Sequence, residues 1–176
     1  MINVAKRKKY YKGFDRKYPA TRKEFQSILQ FFLFECPTPE TSVRAKTFAQ
    51  LGWKGCKQFS QLKKKMLAVA TDSLKHNYYP CKKTELPEYF EKVKSVSPVD
   101  EYCVFLEHDC KTVMQSLFSA IRNAFAHGSF GIENFSGTRV YFFANYKDYL
   151  KAEIILQEDT LLKWIEIVKN GYNGNE

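Results

Sequence analysis

The sequence predicts a mainly helical fold, a bundle of helices with a small β-hairpin before the last helix. Three observations predict it. Apolar residues recur at helical spacing over most of the chain up to residue 127, a strand-like pattern replaces that spacing over residues 140–156, and helical spacing then returns. A chain of 176 residues is long enough to bury one core. We therefore expect a basic N-terminal arm at residues 1–20 and a single domain at residues 21–176.

The first helix is predicted over residues 21–35, because Thr21 followed by Glu24 is a capping-box pattern. Further helical segments are expected at residues 40–51, 57–77 and 88–96, with a loop at residues 80–87. The longest helix is predicted to run from Pro98 to about His127 and to supply the centre of the core. Its apolar stripe consists of Cys103, Leu106, Cys110, Val113, Met114, Leu117, Ile121 and Phe125.

The pattern changes after Gly128. Residues 129–135 are predicted to form a short strand, and residues 140–144 and 152–156 to pair as a hairpin. A final helix then ends at Gly171.

The net charge of +9 comes almost entirely from the beginning of the chain. Residues 1–23 contain nine lysines and arginines against Asp15 alone, which gives nine minus one, or +8. Such an arm favours a polyanionic partner, because each phosphate that it neutralises releases counterions. Aromatic residues between these charges are of the kind that stacks on bases. The alternatives are a solvated tail or a first helix packed on the core. The residues expected to bind RNA are Lys6, Arg7, Lys8, Lys9 and Lys12.

The five cysteines are odd in number and form no C-x-x-C pair, which indicates reduced and mostly buried thiols. No pair of histidine and cysteine ligands has the close spacing of a zinc site, so we predict neither a metal site nor a cofactor. No apolar run is long enough to span a bilayer, and the basic N-terminus lacks the apolar segment of a secretory signal. We expect a cytoplasmic protein that does not contact the membrane.

Residues 122–128, Arg-Asn-Ala-Phe-Ala-His-Gly, carry the residues best suited to chemistry. Asn123 and His127 are four residues apart and share one face of the predicted helix. Arg122 lies about 140° from His127 around an ideal helix, yet a long side chain near the helix end can reach the imidazole. Ser116 and Ala120 extend the face of Asn123 and His127 into a strip of small or polar residues. Such a strip indicates close contact with a second helix, in the same chain or in a partner.

The segment at residues 117–130 resembles the motif-bearing helix end of the HEPN superfamily, whose signature is Arg-(polar)-x-x-x-His. The hairpin and last helix, with residues 160–165, resemble a plasmid-borne, toxin-like branch of that superfamily. The resemblance covers roughly the C-terminal half of the chain. It implies a HEPN-like helical domain and a homodimer that joins two motifs through the motif-bearing helix. It also implies metal-independent RNA cleavage, a role in toxin–antitoxin or anti-phage defence systems, and an antitoxin as a further partner.

The expected catalytic residues are therefore Arg122, Asn123 and His127. The ribose 2′-OH is the nucleophile, and His127 transfers a proton because imidazole titrates near neutral pH. Arg122 holds the phosphate oxygens and stabilises the charge that develops on them. His108 is expected on the solvent-exposed side of the longest helix, without a role.

Two other functions remain open. One is a non-catalytic HEPN-like module that binds RNA, a nucleotide or a protein. The other is a basic nucleic-acid-binding domain unrelated to HEPN that uses the N-terminal arm. The alternative for His127 is that it only caps the helix C-terminus, where a cation is favoured by about 0.3–1 kcal/mol.

Overall fold

The computed structural model describes residues 21–42, 45–109 and 111–172. The N-terminal arm, with its expected RNA-binding residues Lys6, Arg7, Lys8, Lys9 and Lys12, lies outside the described residues. The division into an arm and one domain therefore stays a prediction.

The fold is α/β, and the predicted helical bundle with a hairpin is wrong. The described residues form a five-stranded mixed sheet in the order β1-β2-β5-β4-β3. The strands are β1 (Tyr78–Cys81), β2 (Tyr102–Leu106), β3 (Phe130–Phe135), β4 (Thr138–Tyr146) and β5 (Leu150–Gln157). β1 and β2 are parallel, whereas the other neighbours in the sheet are antiparallel.

Six α-helices accompany the sheet in the described part of the chain. They are α1 (Lys23–Gln30), α2 (Gly55–Ala68), α3 (Asp72–His76), α4 (Leu86–Lys92), α5 (Val113–Ala126) and α6 (Glu158–Asn170). A π-helical turn at Phe31–Glu35 extends α1, and a 3-10 turn at Val93–Ser95 extends α4.

The predicted helix from Pro98 to His127 is strand β2, a connecting loop and helix α5. Residues 102–105 are all buried, because helices cover both faces of the sheet at β2. Cys103 and Phe105 pack into the core on one face, and Tyr102 and Val104 pack into the core on the other. A strand covered on both faces has a continuous apolar run, and such a run also fits a helical pattern.

Strand β1 lies where a loop was predicted from Pro80. β1 is at the edge of the sheet and pairs only with β2, so Pro80 removes no hydrogen bond from a central strand. The helix predicted at residues 40–51 is also wrong, since none of its described residues is helical and residues 48–52 form a turn. There Thr47 and Gln50 accept hydrogen bonds from each other's backbone N–H groups as in a capping box, but Gly52, with a φ of 84°, follows within one turn.

The hairpin of β4 and β5, strand β3 and the last helix are confirmed, as is the helix predicted over residues 21–35. That first helix begins at Lys23, however, and Arg22 is its N-cap residue, so the cap predicted at Thr21 is wrong. The segment predicted as one helix at residues 57–77 is α2 and α3.

Two apolar cores lie on the two faces of the sheet. The larger core joins the sheet to α1, α2, α5 and α6, and the smaller core lies under α4. Helix α5 packs on β2 and β4, and its residues Leu117, Phe118 and Ile121 are each fully buried. This packing fixes the position of the opposite side of α5, which carries Asn123 and His127.

Candidate functional site

A pocket of about 470 Å³ opens beside α5 at the end of the sheet. Its walls are one side of α5, the chain just after β2, the turn between β4 and β5, and Glu40. Five basic side chains line it: His108, Lys111, His127, Lys147 and Lys151. Among the described residues, Glu40 is the one acidic residue in its lining. The pocket is therefore suited to an anionic ligand.

His127 and Asn123 both line the pocket, as their spacing predicts. His127 is the C-cap residue of α5, and Gly128 follows with a φ of 65°. The Ser129 N–H donates to the Ala124 carbonyl at 2.8 Å, and the Gly128 N–H donates to the Phe125 carbonyl at 3.2 Å. This pair of bonds is the Schellman arrangement, which needs a left-handed residue at the glycine position. Gly128 thus ends α5 directly after the imidazole.

Arg122 does not line the pocket, contrary to the expectation that it reaches toward His127. The side chain is half-buried, and its Nη1 donates to the Asn123 Oδ1 at 3.1 Å. Arginine has only donors, so this contact fixes which end of the amide is the oxygen. Arg122 thereby leaves the Nδ2 group as the donor that Asn123 can offer to a ligand.

We expect Arg122→Ala to weaken binding of an anionic substrate only through Asn123. The single variants Arg122→Ala and Asn123→Ala should each raise KM, and the double variant should be no worse than Asn123→Ala alone. The measurement is a double-mutant cycle on kcat/KM, with thermal unfolding to check each fold. Additive losses would instead mean that Arg122 contacts the substrate itself.

Glu40, Lys111 and Ser119 form one hydrogen-bonded cluster in the wall of the pocket. The Lys111 Nζ makes a short ion pair with Glu40 and donates to the Ser119 Oγ at 3.0 Å, and that Oγ donates to the Glu40 Oε2 at 3.0 Å. Burial acts to raise the pKa of Glu40, but the hydrogen bonds from Lys111, the backbone and Ser119 outweigh it, and the pKa is lowered. Glu40 is therefore ionised near neutral pH.

A serine beside a lysine is also the arrangement of a serine nucleophile with a lysine base. That chemistry needs a lysine whose Nζ is free to accept the serine proton, whereas the Lys111 Nζ is paired with Glu40 and itself donates to Ser119. Ser119 is moreover 2% exposed. The cluster therefore fits a fixed positive charge in the wall better than a covalent catalyst.

His108 lies in the same pocket as His127, although it was predicted on the solvent-exposed side of the longest helix, without a role. It stands two residues after β2, and its backbone N–H donates to the Ser116 Oγ of α5 at 3.2 Å. Partial burial and the charges of Lys111 and Lys151 lower the pKa of His108, against weaker opposing effects of Glu40 and Asp109. His108 follows the carboxyl end of a buried apolar run. If that run is identified as a strand, this position indicates a candidate site residue.

The turn between β4 and β5 forms the outer wall of the pocket. The Asn145 Nδ2 donates to the Ala120 carbonyl at 3.0 Å and ties this turn to α5. Lys147 and Lys151 follow in the turn and at the start of β5. Both lysines were missed in the sequence, because only the hairpin brings them to pocket residues that lie at least 20 positions earlier in the chain.

The strip of Ser116, Ala120, Asn123 and His127 lines this pocket within the protomer. Ser116 is 1% exposed and Ala120 8% exposed, so their side chains are already covered by the chain itself. The strip was expected to meet a second helix, yet the element that faces it here is the β4–β5 turn. The homodimer through α5 stays a prediction.

The cysteines of the described residues are free thiols. Cys36, Cys81 and Cys103 are buried, as predicted, and burial raises the pKa of Cys36 to about 12 and of Cys81 to about 11. Cys56 is exposed instead. Cys103 lies on β2 rather than on a helix, and Cys110 lies outside the described residues. Within the described ranges, no group of three or more His, Cys, Asp or Glu residues is arranged to hold a metal ion.

Comparison of the chain with protein-family models, curated proteins and solved structures finds no match. Over the part of the chain that the structure describes, no helix is long and apolar enough to cross a membrane.

Proposed function

We propose that this protein is a metal-independent endoribonuclease and that the pocket beside α5 is its active site. The observation that carries the proposal is the presence of His127 and Asn123 in one pocket with Lys147 and Lys151. A phosphodiester needs positive charge and amide or amine donors around its oxygens, together with an imidazole beside the reacting bond. The pocket offers each of these groups.

RNA suits this pocket because the ribose supplies its own nucleophile. The 2′-oxygen attacks phosphorus, the bond to the 5′-oxygen breaks, and the products are a 2′,3′-cyclic phosphate and a 5′-hydroxyl. His127 transfers one of the two protons that the reaction moves. Lys147 and Lys151, with the Asn123 amide, stabilise the charge that develops on the phosphate oxygens. In metal-dependent nucleases a bound ion supplies that charge.

The proposal depends on the pocket and not on a helical bundle, which this chain does not have. Arg122, expected to hold the phosphate, acts in this proposal through the Asn123 amide. The toxin-like or anti-phage role, the homodimer and the antitoxin stay predictions of the motif resemblance. The runner-up function is a module that binds RNA in the same pocket without cleaving it.

The test is cleavage of a fluorescent RNA oligonucleotide by the full chain in the presence of EDTA. We expect products that end in a 2′,3′-cyclic phosphate and a 5′-hydroxyl, identified by mass spectrometry. An otherwise identical oligonucleotide with 2′-deoxyribose at the cleaved position should bind and stay intact there, because it lacks the nucleophile. Binding without cleavage of either oligonucleotide would favour the non-catalytic module. Cleavage of the deoxy position would contradict the proposed chemistry.

A further inference from the structure

We propose that His108 is the second acid–base group of this site, so that one protomer holds a complete catalytic pair with His127. The inference rests on the proposed ribonuclease function. It replaces the expectation that two protomers each contribute one His127 to a shared site. Two imidazoles are needed because the 2′-OH must lose a proton while the 5′-oxygen gains one.

The two histidines reach the pocket from different elements. His127 comes from the end of α5, and His108 comes from the chain that leaves the carboxyl end of β2. The hydrogen bond from the His108 backbone N–H to the Ser116 Oγ fixes this segment to α5. Ser116 lies eleven residues before His127 in the sequence. Both side chains therefore line one open pocket, from positions that the packing of α5 on the sheet holds together.

The charges around His108 assign the two roles. Lys111, just before α5, and Lys151, on β5, act on His108 together with its partial burial, whereas Glu40 and Asp109 oppose them. Glu40 and Lys111 pair with each other, so their opposite effects on His108 partly offset, and burial is the largest cause of the shift. The net effect lowers the pKa of His108 and keeps its imidazole neutral at neutral pH. A neutral imidazole is a base, so His108 accepts the proton and His127 is the group that must donate one.

The protons and bonds balance in this assignment. His108 takes the proton of the 2′-OH as the 2′-oxygen bonds to phosphorus. The bond from phosphorus to the 5′-oxygen breaks, and a protonated His127 gives its proton to that oxygen. After the products leave, His108 loses its proton to solvent and His127 regains one, so the enzyme returns to its starting state.

The experiment compares two histidine variants of the full chain with the wild type on the same RNA. His108→Gln should lower kcat by about 10²–10⁴-fold with KM nearly unchanged, the usual loss for a general base. The matched control is His76→Gln, because His76 lies on α3, is exposed and does not line the pocket. It should keep full activity. Circular dichroism and thermal unfolding check that each variant folds.

The pH profile separates a base from a residue that only supports the fold. Activity of the wild type should fall as pH drops through the lowered pKa of His108, because the base becomes protonated. His108→Gln should lose this acidic limb, whereas a merely structural defect would lower activity equally at every pH. Retention of the acidic limb in His108→Gln would overturn the inference.

Co-expression of His108→Gln and His127→Ala chains with different tags tests whether one protomer is sufficient. If each protomer holds a complete site, neither chain can be active. We then expect no activity, whether the two chains purify as a mixed complex or as separate monomers. Recovery of activity in the mixed complex would mean that the two histidines of one site come from different chains. Full activity of His108→Gln alone would overturn the role of His108 while leaving the ribonuclease proposal intact. Absence of cleavage by the wild type would instead overturn the ribonuclease proposal itself.

Discussion

Replacing His127 with alanine is expected to lower kcat for RNA cleavage by about 10²–10⁴-fold, the contribution of one positioned acid–base group. The loss should appear in kcat, because the imidazole acts on protons that move only in the transition state. Binding of RNA should change little, since Lys147, Lys151 and the Asn123 amide remain in the pocket. The measurement is single-turnover cleavage at saturating enzyme, which separates the chemical step from binding.

The His127 variant should fold normally. The side chain is exposed, and the bonds that end α5 run from the backbone N–H groups of Gly128 and Ser129. His76→Ala is again the matched control. In cells, the wild type should slow growth when expressed, and His127→Ala should be tolerated, as the toxin-like resemblance implies. Unchanged kcat in purified His127→Ala would contradict a role for this residue in the chemistry.

The position of Asn123 and His127 could be predicted from the sequence because it depends on local geometry. An i, i+4 pair shares a helix face wherever the helix packs, and Gly128 marks the helix end through its left-handed conformation. The capping box of Thr112 and Gln115 at the other end of α5 is equally local. This box was not predicted, because the predicted helix extended back to Pro98.

The sheet could not be predicted in the same way. Cys103 and Leu106 fit a helical stripe only because every position of β2 from Tyr102 to Phe105 is buried. Burial on both faces removes the alternation that identifies a strand. The proline in β1 added to the error, since its place at the sheet edge depends on the tertiary pairing.

The rest of the site depends on contacts between distant segments. His108, Lys147 and Lys151 belong to three segments that meet α5 only in the folded sheet. Even Arg122, adjacent to Asn123, is directed by its half-buried surroundings to the amide and not to the imidazole. Helical spacing therefore predicts which residues share a face, but not where a long side chain points.

Replacing Phe118 with alanine is expected to have the largest effect on stability among the residues of α5. Phe118 is fully buried, and its ring contacts those of Phe31, Phe32 and Phe48 at centroid distances of 5.7–6.3 Å. Removing a buried phenylalanine ring typically costs about 3–5 kcal/mol, because apolar burial is lost and a cavity remains. That is a large part of the roughly 5–15 kcal/mol that stabilises a typical domain. The measurement is urea unfolding, with the matched control Phe34→Ala, whose ring is 61% exposed and should change stability by less than about 0.5 kcal/mol.

The same variant tests how the core positions the site. Phe118 and His127 are nine residues apart and so lie about 180° from each other around α5, one in the core and one in the pocket. A cavity at Phe118 lets α5 shift on the sheet and moves His127 relative to Lys151, which lies on β5. We therefore expect Phe118→Ala to lose cleavage at temperatures where it is still folded, whereas Phe118→Leu, which leaves a smaller cavity, should lose less. Equal stability of Phe118→Ala and Phe34→Ala would contradict the packing of α5 described above. Full activity in a destabilised but folded Phe118→Ala would contradict this coupling. It would show that proton transfer in the pocket does not depend on the position of α5.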